Sequence, residues 1–170
     1  NPFYVQEIAD ALKGVDIPVF VKNPIHPEIG LWLGALERLS KAGINKIGAI
    51  HRGFHNYKDS AFRNEPKWEM PIKLREEVSN LPIICDPSHI AGKTSLIEDV
   101  SQTAMDINLD GLMIETHNNP KRALSDSNQQ ITPKELKKML NNLILRDAKL
   151  RDEVFKEELL EFRNKIDLLD

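Results

Sequence analysis

The chain has 170 residues, 41 % of them hydrophobic and 29 % charged, and a net charge of -3. That balance suits a globular domain with a real core and excludes a basic field for nucleic acid or an anionic membrane, so no partner of either kind is expected. The single cysteine, Cys85, excludes an internal disulfide and fits a reducing, cytoplasmic compartment; no apolar run approaches the roughly 18 residues that span a bilayer, and no basic-then-apolar leader is visible.

The opening "NPFYVQEIADALKG" reads as a helix with Asn1 as N-cap and Pro2 at the first helical position; a chain starting there, without methionine, is expected to be a piece of something longer. Phe3, Ile8, Ala11 and Leu12 lie near helical spacing and Gly14 stops the run. "PVFVK" (18–22) is a fully apolar strand ending on Lys22. A helix follows over about 27–41, with Leu31, Leu33, Leu36 and Leu39 apolar and Gly43 just beyond. "KIGAI" (46–50) is the second strand. The polar loop "HRGFHNYKDSAFRNEPKWEM" after it is too long for a mere connector. A short helix (71–80), a strand "LPIIC" (81–85), a helix (93–108) and a strand "GLMIE" (111–115) complete the alternation. Thr132, Pro133 and Glu135 form a capping box opening a last core helix.

Apolar strands alternating with amphipathic helices predict an α/β fold with a parallel sheet under helices. No glycine-rich phosphate loop follows a strand, which weakens the open nucleotide-binding version. Instead Lys22, Arg52, Asp86 with His89, and Glu115 with His117 stand just past four successive strands. Ionisable groups delivered to one end of every strand mark a (β/α)8 TIM barrel, whose active site lies at that face. A whole barrel needs about 250 residues, so four strands make half of one.

His89, Glu115 and Asp126 supply one imidazole and two carboxylates, a mixed set for a divalent metal ion such as Mn2+, Fe2+ or Zn2+. Asp86-Pro87 is also a common turn starter, a lone histidine often a surface or capping residue, and Asp126 a turn former, so spacing alone leaves both readings open. Lys22 and Arg52 are snorkelling surface cations or, at a barrel mouth, binders of phosphate and carboxylate; Arg63 on the long loop is a third such cation, and Gly53 allows close backbone approach. His26 and His55 are weaker candidates. Cys85, among apolar neighbours, reads as packing.

"VKNP", "HRGF", "CDPSHIAGK", "MIETH" and "ALSDSNQQITP", in that order, resemble the C-terminal half of a 3-deoxy-D-arabino-heptulosonate 7-phosphate (DAHP) synthase, whose barrel is shared with 3-deoxy-octulosonate 8-phosphate synthase. The resemblance runs from the N-terminus to about Leu145, and the Asp-Pro-Ser-His form favours the DAHP enzyme. It implies condensation of phosphoenolpyruvate with erythrose 4-phosphate and release of phosphate, the first step of the shikimate route. It implies His89, Glu115 and Asp126 as metal ligands, Lys22 and Arg52 as cations holding phosphoenolpyruvate, and Asp86 as a support of the site. Two departures stand out. The family's fourth ligand is a cysteine on an earlier strand, which Cys85 is not, and His51 stands where many relatives have glutamate before Arg-Gly. The missing N-terminal half of the barrel is therefore an expected partner, the chain alone is expected to be inactive, and the open sheet edges predict self-association into a homo-oligomer.

Residues 1–147 are expected as barrel and 148–170 as linker and start of a helical domain. In that tail Phe155, Leu159, Phe162, Ile166 and Leu169 recur at spacings of four and three, a long amphipathic helix wanting a helical partner. "ELLEFRNKIDLLD" resembles the first helix of an all-helical chorismate mutase, which implies Arg163 as an arginine binding a dicarboxylate substrate. Alternatives kept open are the octulosonate enzyme and a non-catalytic remnant or interaction module.

Overall fold

A computed structural model describes residues 2–55, 59–146 and 153–167. Four strands, β1 (Val19–Lys22), β2 (Ile47–His51), β3 (Ile83–Cys85) and β4 (Gly111–Leu112), form one sheet in sequence order, every neighbouring pair parallel. A doubly wound sheet reverses its strand order partway; this sheet steps steadily in one direction, as a barrel wall does.

Helices follow each strand: α1 (Pro2–Ala11) precedes β1, α2 (Ile29–Lys41) follows it, α3 (Glu69–Glu77) follows β2, α4 (Pro87–Ala91) and α5 (Ile97–Asp106) follow β3, α6 (Pro133–Asn142) follows β4, and α7 (Glu153–Asp167) lies in the tail. Register places Val21, Ala49 and Ile83 on one side of the sheet. There they join Trp32, Leu36, Leu74, Ile97, Val100 and Ala104 in the main core. The alternate set, Phe20, Gly48, Ile50 and Ile84, faces the other way. Phe20 lies across Gly48 so closely that a Cβ there would sit 2.4 Å from its ring, and Phe20 remains 42 % exposed on this open face. The Val19 amide donates to Lys46 O and that of Asn23 to Ile50 O, so those of Phe20 and Lys22 point to the outer edge of the sheet.

Some boundaries differ from expectation for physical reasons. The third helix starts at Glu69 rather than Pro71, because a proline in the first turn gives up an N–H that has no helical acceptor anyway. The expected helix over 93–108 is a 3-10 turn, Thr94–Leu96, followed by α5. The β4 ladder stops at Leu112, but the chain stays extended: Met113 N donates to Cys85 O, and Glu115 N to Ser88 Oγ at 3.0 Å. The short helix α4 was not among the expected elements. Asp86 caps it, Pro87 opens it, and Gly92 closes it in the left-handed region at φ 68°. Asn1, Leu169 and the side chains of Phe155 and Ile166 lie outside the described residues.

Candidate active site at the C-terminal ends of the strands

The site begins with Asp86. Its side chain is almost fully buried, at 2 % exposure, and three groups converge on it. Lys22 Nζ, from the end of β1, approaches Oδ2 at 3.0 Å; His89 Nδ1 lies 2.8 Å from the same oxygen; His89 N donates to Oδ1 at 3.1 Å. A carboxylate removed from water needs such partners to remain charged.

His89 Nδ1 is close to Asp86 Oδ2 but makes no hydrogen bond to it, and Nε2 lies 3.7 Å from Glu115 Oε1. Asp126 reaches the same point from the 3-10 turn after β4. His89, Glu115 and Asp126 each offer one ligand atom, all within 4.8 Å of one another. Two nitrogen or oxygen ligands at about 2.1 Å from one ion stand at most about 4.2 Å apart, so drawing the widest pair in by a few tenths of an ångström suits the set to a divalent ion. The donors, an imidazole and two part-exposed acids, fit such an ion chemically.

Arg63 holds the acid side together. Its Nη1 donates to Asp126 Oδ1 at 2.7 Å and to Gln129 Oε1 at 2.5 Å, and Gln129 Nε2 donates to Glu115 Oε2 at 2.9 Å. The Arg63 hydrogen bond holds the Asp126 carboxyl below the usual carboxylate range against an opposing desolvation, with the Arg63 and His89 charges adding to the lowering. Asp126 itself is in the left-handed region, φ 49°, which a short polar side chain tolerates.

Arg52 is placed through Asn23. The Arg52 backbone N donates to Asn23 Oδ1 at 2.7 Å, and Asn23 Nδ2 donates to Gly53 O at 2.8 Å, so one buried amide ties the ends of β1 and β2. Among the described residues the Arg52 side chain has no hydrogen-bond or ion-pair partner. Gly53, at φ +75°, is approached by its own chain: a Cβ there would lie 2.9 Å from Asn64 Cβ.

The structure thus brings Lys22, Asp86, His89, Glu115, Asp126 and Arg63 into one network. Arg163 is exposed on α7, and among the described residues no hydrogen bond or ion pair joins it to the site. His117 Nδ1 accepts from Asn119 N instead of joining the acids. His51 points into the core, between Trp32, Phe54 and Trp68. Cys85 is buried in the main core, and burial, with the Asp86 charge, pushes its thiol pKa up. Asn23, Ser88 and Gln129 are functional neighbours that sequence reasoning missed; a neutral polar side chain leaves no periodic or charge signal.

A parallel sheet in barrel-wall order, with ionisable groups gathered at its C-terminal end, defines the class: half of a (β/α)8 enzyme barrel. A family model described as the DAHP synthetase I family matches residues 5–150, and the chain belongs to that family. It is 32 % identical over 114 residues to a phospho-2-dehydro-3-deoxyheptonate aldolase of Thermotoga maritima, covering 67 % of this chain and 33 % of that protein. It is also 32 % identical over 74 residues to a 2-dehydro-3-deoxyphosphooctonate aldolase of Wolinella succinogenes, covering 37 % of this chain and 28 % of that one. Among solved structures, a truncated 3-deoxy-D-arabino-heptulosonate 7-phosphate synthase from Thermotoga maritima superposes with TM-score 0.73 at 25 % identity, covering 83 % of this chain and 54 % of that one. A Thermotoga maritima phospho-2-dehydro-3-deoxyheptonate aldolase (DAHP synthase) gives 0.74 at 25 % identity, over 83 % and 42 %. The chain therefore spans about a third of the length of its curated relatives.

Proposed function

We propose that this chain is the C-terminal catalytic part of a metal-dependent DAHP synthase, condensing phosphoenolpyruvate with erythrose 4-phosphate. The observation that carries the reading is the convergence of His89, Glu115 and Asp126 at the C-terminal end of the sheet. Family membership and the Thermotoga relative support the choice of reaction.

His89, Glu115 and Asp126 would hold the ion. A divalent cation supplies Lewis acidity toward an aldehyde oxygen and a template for orientation. Asp86 holds His89 by its backbone N–H, with the imidazole beside the carboxylate, and Nε2 faces Glu115 for ligation. Lys22 is 42 % exposed at its side chain, so its ammonium faces both Asp86 and the open mouth and can take a phosphate as a point charge. Arg52, with its backbone clamped by Asn23 and its guanidinium unpaired among the described residues, can grip phosphate or carboxylate through two parallel hydrogen bonds. Holding the enol carbon and the aldehyde together in this way is the main catalytic gain expected of the site.

The rest of the barrel would complete both the ligand set and the substrate pockets. Residues 148–170 we place outside the barrel, as linker and start of a helical unit; the family match ending at residue 150 and the exposed Leu159 and Phe162 support that division.

The test has two arms. Mn2+ uptake by the chain, followed by electron paramagnetic resonance, is expected and should be lost in His89→Ala. Joined to the preceding barrel units of the Thermotoga relative, the chain should consume phosphoenolpyruvate with erythrose 4-phosphate. Consumption with arabinose 5-phosphate alone would make it the octulosonate enzyme, a reading the Wolinella relative supports. A folded, Mn2+-binding fusion active with neither sugar would leave only a binding remnant.

A further inference from the structure

A carboxylate has two chemically equal oxygens, and the one that meets a cation is decided by what holds the other. For Glu115 that decision falls to Gln129. Its side-chain amide is buried, with the residue 1 % exposed, and it has two unlike ends. Oε1 accepts from Arg63 Nη1 at 2.5 Å and Nε2 donates to Glu115 Oε2 at 2.9 Å. The orientation is not interchangeable. Arg63 has only donors, and an ionised Glu115 has only acceptors, so the reversed amide would face N–H against guanidinium and oxygen against carboxylate. With Oε2 occupied, the Glu115 oxygen left for a cation is Oε1, the one 3.7 Å from His89 Nε2.

The same guanidinium nitrogen that fixes the amide also holds Asp126 Oδ1 at 2.7 Å, leaving Oδ2 of that acid. The backbone reinforces the arrangement, because Gln129 N donates to Asp126 O at 3.0 Å within one 3-10 turn. The presentation of two carboxylates thus passes through Arg63 directly and through Arg63 and Gln129 in series.

We propose that Gln129, its amide polarity set by Arg63, is a positioning residue that selects the ligand oxygen of Glu115. This rests on the metal reading given above. It differs from a packing role, because Arg63 and Glu115 have side chains 46 % and 31 % exposed and can be hydrated when Gln129 is lost. Removing the amide should therefore disturb ligation more than folding.

The experiment is Mn2+ titration of the full chain, read by the electron paramagnetic resonance of the free ion, alongside thermal unfolding without metal. Gln129→Leu is expected to raise the Mn2+ Kd about 10- to 100-fold, the range typical of lost outer-shell partners. Thr132→Ala, a helix-cap loss at a side chain that bonds Glu135 and no proposed ligand, should lower the melting temperature and leave Kd within about twofold. Should Gln129→Leu fail to fold, Gln129→Glu decides by the same criterion, since it keeps the volume and removes the donor. A Gln129 variant with Kd within twofold of the parent, while Glu115→Ala abolishes binding, would overturn this inference and leave the metal site standing. A comparable rise in Kd in Thr132→Ala, tracking its loss of melting temperature, would also overturn it. A parent chain that takes up no Mn2+ would remove the metal reading, and this inference with it.

Discussion

Acidification should destabilise this chain in a way traceable to His51. His51 is fully buried, with ring centroids 6.3 Å from Trp32, 5.8 Å from Phe54 and 5.3 Å from Trp68, and neither ring nitrogen has a hydrogen-bond partner. Burial lowers its pKa from 6.5 to about 4, against weaker upward pulls from the Pro66 carbonyl and the Asp86 charge. An unfolded chain takes up a proton near 6.5 while the folded one resists until about 4, so stability falls as pH drops through that window. At about 1.4 kcal/mol per pH unit the full effect is on the order of 3 kcal/mol, and most of it, roughly 2.5 kcal/mol, should be present at about pH 4.5. The assay is urea unfolding at pH 7 and pH 4.5, read from Trp32 and Trp68, the chain's two tryptophans, which flank the imidazole. His51→Phe keeps an aromatic ring and removes the titration. Other acid-sensitive groups act on both proteins alike, so the difference between parent and variant should change by about 2–3 kcal/mol between the two pH values. Equal pH dependence in both would refute the reasoning.

Cys85, buried and with its thiol pKa raised, should resist a disulfide reagent at pH 8 and react fully once urea unfolds the chain; rapid labelling of native protein would contradict its place in the core. Asn23→Ala strips the acceptor from Arg52 N and the donor from Gly53 O and Pro24 O, and should cost about 1–3 kcal/mol in urea unfolding, because Gly53 O is left buried without this donor and the other two groups part-buried. Thr132→Ala removes a complete capping box from α6 and should cost about 1 kcal/mol by the same measurement, with Thr132→Ser recovering most of it.

The sheet and the metal-type cluster were legible because they rest on strong signals. An apolar run that stops at an ionisable residue gives the strand, its end and the chemistry at that end, and this is how Lys22, Asp86 and Glu115 were found. What escaped was of two kinds. His51 and Arg52 are adjacent, and the apolar run "IGAI" before them has no polar alternation to reveal which of them turns toward the helices; the register, with His51 opposite Cys85, settles it for the core. Gln129, Ser88 and Asn23 act only through what lies across from them. Ser88 Oγ receives Glu115 N from 27 positions away, and no local pattern encodes that meeting.

The segment "DPSH" carries a more general point. Asp86 is the N-cap of α4, Pro87 its first residue and His89 its third, the position whose N–H a capping side chain accepts. Capping therefore brings the His89 imidazole beside the Asp86 carboxylate, and the 2.8 Å approach of Nδ1 is a by-product of starting a helix. "TPKE" at α6 repeats the device: Thr132 caps, Pro133 follows, and Glu135 at the third position folds back onto the cap. The two differ in place. The α6 cap carries groups that satisfy only each other, whereas the α4 cap stands at the end of β3, where Lys22 reaches the same carboxylate and Glu115 lies beside the far imidazole nitrogen. A common helix-starting motif becomes a ligand mount when the strand before it delivers it to the end of the sheet where other charges converge.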